Sequence, residues 1–398
     1  QDYTKYGIRK DHPAVVKGKA GSPYAIKDYY DIDPDLAVDV DKRMEEFEAL
    51  VERTHNAGMK MIIDFVPNHV ARQYKSLAKP AGVKDLGEDD DTSVSFNPNN
   101  NFYYIPGEEL KGDIDLYDPE AGRYTEMPAK ATGNNKFDAW PNRNDWYETV
   151  KLNYGVDYYN NTGCHFSPIP DTWNKMKDIL LFWAGKNIDG FRCDMAEMVP
   201  CEFWGWAIPQ VKKQFPDIIF IAEVYNPQEY RNYIHNGHFD YLYDKVGLYD
   251  TLRSIICSNS SATNITGCWQ SVNDIQSHML NFLENHDEQR IASDYFAGNP
   301  HKAFPGMIVS ACMNTNPVMI YFGQELGESG MDTEGFSGRD GRTTIFDYWS
   351  VDSIRRWTNH GRFNTHLLNA KEKGIRNFYK TLLNICNQET VSYTHLTL

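Results

Sequence analysis

The chain has 398 residues and a formal net charge of −15, with 55 acidic against 40 basic side chains. That length suits one large core with an insertion, since (β/α)8 barrels run past ~250 residues as a single domain. The negative balance excludes a nucleic-acid partner, which would need a cationic stripe to displace counterions, and leaves a neutral or cationic ligand.

The opening stretch, Gln1 to Asp28, is polar, lacks a preceding strand and begins as if in the middle of a loop. Between Asp39 and Gly58 the apolar positions Met44, Phe47, Leu50 and Val51 recur at helical spacing, with Asp39 or Asp41 as N-cap and Gly58 past the C-terminus. Met59 to Val66 is then a short apolar run closed by Pro67, which predicts a buried parallel strand. From Val70 to about Cys164 the composition turns to Asp, Asn, Gly and Pro with scattered aromatics, and such a long irregular stretch predicts an inserted subdomain. A helix over 171–184, with Trp173, Met176, Leu180 and Trp183 on one face, leads into a strand over 188–193. A second helix over 201–214 leads into Ile218 to Glu223. Phe239 to Tyr243, Met279 to Leu283 and Val318 to Phe322 read as three further short strands.

Six strands with helical spacers predict an α/β fold, a parallel barrel or a doubly wound sheet. No run of about 18 apolar residues occurs, so no helical membrane span is expected. Seven cysteines without a CxxC pair give no zinc spacing and no complete disulfide framework, although Cys257 and Cys268 could bridge. Val391 to Leu398 continues no pattern and is read as an artefactual tail.

In a parallel barrel the chemistry sits at the carboxyl ends of the strands. The polar residues there are Asp64 with Asn68 and His69, Arg192 with Asp194, Glu223, and His286 with Asp287. One acid at a strand end is usually a capped turn; three at homologous strand ends are harder to dismiss, and two carboxyls about 5 to 5.5 Å apart would suit double-displacement glycoside hydrolysis. Arg192, two residues before Asp194 on the same strand face, would keep that acid ionised as nucleophile. Glu223, ending an apolar run, would hold its proton through burial and nearby negative charge.

The segments Asp64-Phe-Val-Pro-Asn-His69, Gly190-Phe-Arg-Cys-Asp194, Ile221-Ala-Glu-Val224 and Phe282-Leu-Glu-Asn-His-Asp287 resemble, in order and interval, the four signature strands of the α-amylase family, glycoside hydrolase family 13. Leu152-Asn-Tyr154 is similar to its weaker fifth motif. The resemblance runs from about Tyr24 to Glu389. It implies a (β/α)8 TIM barrel, incomplete with about six strands, and an inserted domain after the third family strand. The division is then 1–69 barrel, 70–164 insertion (domain B), 165–390 barrel and 391–398 tail. The family's first two strands and its C-terminal β-domain are missing from this reading, which predicts an open barrel edge and a poorly soluble or inactive chain.

By that resemblance Asp194 is the nucleophile, Glu223 the acid/base and Asp287 the carboxylate that grips the sugar. Tyr24, in Ser22-Pro-Tyr-Ala-Ile-Lys-Asp-Tyr29, stacks on the sugar, His69 and His286 hydrogen-bond to it, and Arg192 orients Asp194 with Asp64 as its structural partner. The expected partner is an α-glucan or maltooligosaccharide, bound by a monomer, and the reading leans to a secreted or periplasmic enzyme. The sequons at Asn160, Asn259 and Asn264 would matter only in a eukaryotic secretory route. No cofactor is needed for the chemistry. Asn68 matches a calcium ligand of the family, but Glu197 and Met198 stand where many members carry Lys and His, and a methionine side chain offers calcium no oxygen. Glu197 also alters the acceptor side, which leaves three readings: hydrolysis of α-1,4 glucosidic bonds, transfer or isomerisation by the same mechanism, and a non-catalytic glucan-binding homologue. Loss of a carboxylate would mark the last, and none is lost.

Overall fold

A computed structural model describes residues 2–160, 163–333, 336 and 338–388. Residue 1, the last two residues of the Asn160 sequon, residues 334–335, Ser337 and residues 389–398, with the tail, lie outside the described residues. The chain divides into two compact units, one formed by residues up to Glu223 with His235–Asp240, the other by Val224–Ile234 and the residues from Tyr241 onward.

In the first unit helix α1 (Arg43–Asn56) follows a short turn whose Asp39 carboxylate accepts from the Asp41 N–H, and Gly58 takes φ +73° to reverse the chain. Strand β1 (Ile62–Phe65) comes next. Its burial differs from the continuous interior run expected of it, because Ile62 and Asp64 are exposed and Phe65 is buried. The register explains this: within the unit β1 pairs along one side, in parallel with β4 (Gly190–Cys193), and is an edge strand. Beside it lies a groove of about 700 Å³ bordered by Leu36, Val38, Phe47, Leu50, Ile63 and Trp183. Parallel β5 (Ile219–Ala222) completes the sheet on the other side of β4. The connecting helices α2 (Asp171–Ala184) and α3 (Cys201–Gln214) fall where periodicity puts them. All four aromatic, methionine and leucine positions named on the α2 stripe are buried, and the Trp173 and Trp183 indoles donate to the Tyr154 and Tyr29 carbonyls.

Residues 70–164 form short antiparallel pairs. In the longest, β2 (His69–Ala71) lies against β3 (Thr149–Lys151), with His69 opposite Lys151. A small core of Ile105, Leu110, Leu116, Tyr124, Ala129 and Ala139 holds the region together, and Val15, from the polar opening stretch, is packed into it. The second unit has its own parallel strands β6 (Tyr241–Tyr243), β7 (Met279–Phe282) and β8 (Val318–Met319). In it α4 (Phe304–Cys312) meets α5 (Ala370–Gln388) through stacked Phe304 and Phe378 rings, centroids 3.6 Å apart.

Candidate active site

The register of β1 on β4 sets Asp64 beside Arg192, and that of β4 on β5 sets Cys193 beside Ala222, so Asp194 and Glu223 leave adjacent strands one residue past their ends. Arg192 is the hub. Its Nη1 donates to Asp194 Oδ1 at 3.0 Å and to Asp64 Oδ1 at 3.1 Å, and its Nη2 makes an ion pair with Glu223 Oε2 at 2.9 Å. Tyr24 lies over the guanidinium at 5.7 Å and donates its hydroxyl to Asp64 Oδ2 at 2.9 Å. Five residues singled out in the sequence, from three strands and one loop, thus form one polar network.

Three carboxyls share one cation, two of them nearly dry, since Asp194 is 6% and Glu223 2% exposed, while Asp64 is open to solvent. Burial pushes the Asp194 carboxyl well above the usual range. Arg192 opposes that shift, and Glu223 and Asp64 add to it. The guanidinium therefore acts as the sequence suggests, but burial outweighs it. Burial likewise raises the Tyr24 phenol, with Asp64 next in effect, so the hydroxyl stays a donor.

The turn after β4 was not legible in the sequence. Met195 adopts φ 44°, ψ 41°, a left-handed conformation that methionine rarely takes, and its N–H donates to Glu223 Oε2 at 2.8 Å.

His69 is buried against Trp146, ring centroids 5.2 Å apart, and burial, aided by Lys151, pushes its imidazole down to about 3 against a hydrogen bond to the Tyr24 backbone. It is a neutral histidine. Its neighbour Asn68 has its amide committed: Nδ2 donates to Gly133 O at 2.8 Å and contacts His69 Nδ1 at 3.1 Å, while Oδ1 accepts from Lys151 Nζ at 2.5 Å. These residues do not fit calcium. The oxygen assigned to the ion is already taken, and among the described residues no group of three or more His, Cys, Asp or Glu could hold a metal. Lys151 escaped the sequence reading because Val150-Lys-Leu152 looks like a strand with one outward lysine, whereas all three are buried.

In the second unit His286 and Asp287 follow β7, with Nε2 and Oδ2 3.2 Å apart, and Asp287 is half exposed. Arg342 Nη1 donates to the Asp287 carbonyl at 3.3 Å and its fork holds Asp340, which brings the 338–342 loop against the third acid of the sequence reading. Cys257 and Cys268 do not approach each other as a pair: the first donates to Phe296 O and the second contacts Thr251 Oγ1. The sulfurs that meet are Cys312 and Cys386, at 3.6 Å.

A model of the α-amylase catalytic domain matches residues 12–361. The chain belongs to the α-amylase family. Within the family it is 25% identical over 388 residues to α-amylase 3 of Dictyoglomus thermophilum, an alignment covering 91% of this chain and 66% of that one. It is 37% identical over 90 residues to an α-1,4-glucan:maltose-1-phosphate maltosyltransferase of Cereibacter sphaeroides, covering 20% of this chain and 15% of the relative. The chain thus spans just under two thirds of the first relative's length and a small part of the second's. Among solved structures, an α-amylase from Lactobacillus plantarum superposes with a TM-score of 0.57 at 22% identity, over 94% of this chain and 70% of that one. The fold is that of the family's TIM barrel, with six barrel strands among the described residues, three in each unit. Family relatives include both glycosidases and glycosyl transferases. No described helix is long and apolar enough to cross a membrane.

Proposed function

We propose that the chain carries the catalytic machinery of a retaining α-glycoside hydrolase acting on the α-1,4 bonds of starch, glycogen or maltooligosaccharides. The observation that supports this reading is the Arg192 hub, which holds Asp194 and Glu223 on one guanidinium at the ends of neighbouring strands. Asp194 is the nucleophile: it attacks the anomeric carbon as the glycosidic bond breaks, forming a glycosyl ester. Glu223 gives its proton to the leaving oxygen and then takes one from the water that hydrolyses the ester. Burial raises the Asp194 carboxyl, and the Arg192 guanidinium opposes that shift and so favours the carboxylate that attacks. Asp287 and His286 bind sugar hydroxyls, and His69, held neutral, serves as a hydrogen-bonding group without adding positive charge beside the oxocarbenium-like transition state.

Asp194→Asn is expected to lower cleavage of maltoheptaose by several orders of magnitude with an unchanged circular dichroism spectrum. Turnover near that of the wild type would overturn the assignment. The likeness to a maltosyltransferase favours a second reading in which the glycosyl ester passes to another sugar. Products longer than maltoheptaose in the same assay would mark it.

A further inference from the structure

Asn68 is the residue whose family counterpart is a calcium ligand, and its side-chain oxygen faces Lys151 Nζ at 2.5 Å. Lys151 is 2% exposed, and no carboxylate pairs with it among the described residues; its other recorded partner is the Tyr158 ring, 5.8 Å from Nζ. Burial pushes the Lys151 ammonium down to about 7, and a carbonyl dipole and an aromatic face are what support its charged form when no anion is present. The surroundings are tightly filled. A Cβ on Gly133 would lie 2.6 Å from Thr149 Oγ1 and 2.9 Å from the His69 ring, so the Gly133 backbone sits close against these side chains of β2 and β3. Calcium takes six to eight oxygens, commonly with several carboxylates. The side chains of Met198 and Lys151 supply none.

We propose that Lys151 Nζ holds the cation position at Asn68, so that the insertion is fastened to the loop after β1 by an internal side chain and takes no divalent metal there. The antiparallel register explains the geometry, because Lys151 lies directly opposite His69. Fixing Asn68 Oδ1 leaves Asn68 Nδ2 to steady the His69 imidazole, so Lys151 is a positioning residue for that histidine. The inference is independent of the glycosidase reading, as it concerns how this corner of the fold is closed.

The experiment is scanning calorimetry of the whole chain in EDTA and in millimolar calcium, with isothermal titration of calcium. Wild type is expected to unfold at the same temperature in both, within about 1 °C, and to give no binding heat, because a ligand selective for the folded state would raise the midpoint. A rise of several degrees with calcium, or stoichiometric binding, would overturn the proposal. Lys151→Asp places a carboxylate beside Asn68 Oδ1; it should unfold several degrees lower in EDTA and recover part of the loss with calcium. Lys151→Met keeps the volume without the donor, and it should show the loss without recovery. A Lys151→Met midpoint equal to wild type would refute the fastening role. If the aspartate variant does not fold, the wild-type titration and the methionine variant decide the matter.

Discussion

Met195 is held in a conformation that disfavours a Cβ by roughly 1–2 kcal/mol, and in return its N–H reaches Glu223. A β-branched residue fits such a turn worst, and asparagine tolerates it best among polar residues. Met195→Val is expected to lose roughly 1–2 kcal/mol in urea denaturation and to turn over maltoheptaose more slowly, whereas Met195→Asn should keep most of both. Equal behaviour of the two would mean that the backbone strain does not matter to Glu223. Little of this was visible in the sequence. Apolar runs and the residues that end them identify Asp194 and Glu223 as candidates, but a left-handed turn at a methionine has no signature. A fully buried lysine at 151 looks like a solvated one until its neighbours are in place. Whether burial or Arg192 governs Asp194 is likewise a question of magnitude that residue spacing does not answer.

Secondary structure was more legible, for a physical reason: α2 and α3 each carry a wide apolar stripe, and a stripe is written in the periodicity itself. The edge position of β1 was harder to foresee, because an apolar run does not state whether both faces are covered. Helix α3 holds a useful exception to a general rule. Glycine in a helix is usually improved by alanine, by about 1 kcal/mol. At Gly205, though, an added Cβ would stand 2.5 Å from the Asn236 carbonyl oxygen, a backbone atom with little freedom to retreat. Gly205→Ala should therefore destabilise by ~1–3 kcal/mol. Gly267, in the helix Asn264–Ser271, has nothing within 4 Å of its Cβ position; Gly267→Ala should stabilise by roughly 0.5–1 kcal/mol. Denaturation midpoints moving in the same direction for both would show that the contact at Gly205 is not decisive.

At the scale of the molecule, pH acts through buried charge. Glu284 is 1% exposed, accepts from the Ile291 N–H at 2.6 Å and pairs with Arg290 at 3.1 Å. Burial pushes its carboxyl from 4.5 up to about 7, with Arg290 opposing. Between those two values the folded chain keeps a proton that the unfolded chain releases, so this group makes stability fall as pH rises through the window. Glu284→Gln, neutral throughout, is expected to flatten that slope by up to a few kcal/mol across the window, measured as unfolding midpoints at its two ends. An unchanged slope would assign the dependence to other groups. The barrel strands were foreseeable from their apolar runs, whereas the packing of Val15 against residues 105–139 was not, because a lone valine in a polar stretch gives no hint of a distant partner.

That packing also sets an order of events during synthesis. The residues that Val15 joins, from Ile105 to Ala139, emerge about ninety or more positions after it. At the usual pace of translation this is a wait of roughly 5–20 s. The stretch around Val15 lacks these packing partners for that time, and slowing the ribosome would lengthen its exposure to proteases and chaperones.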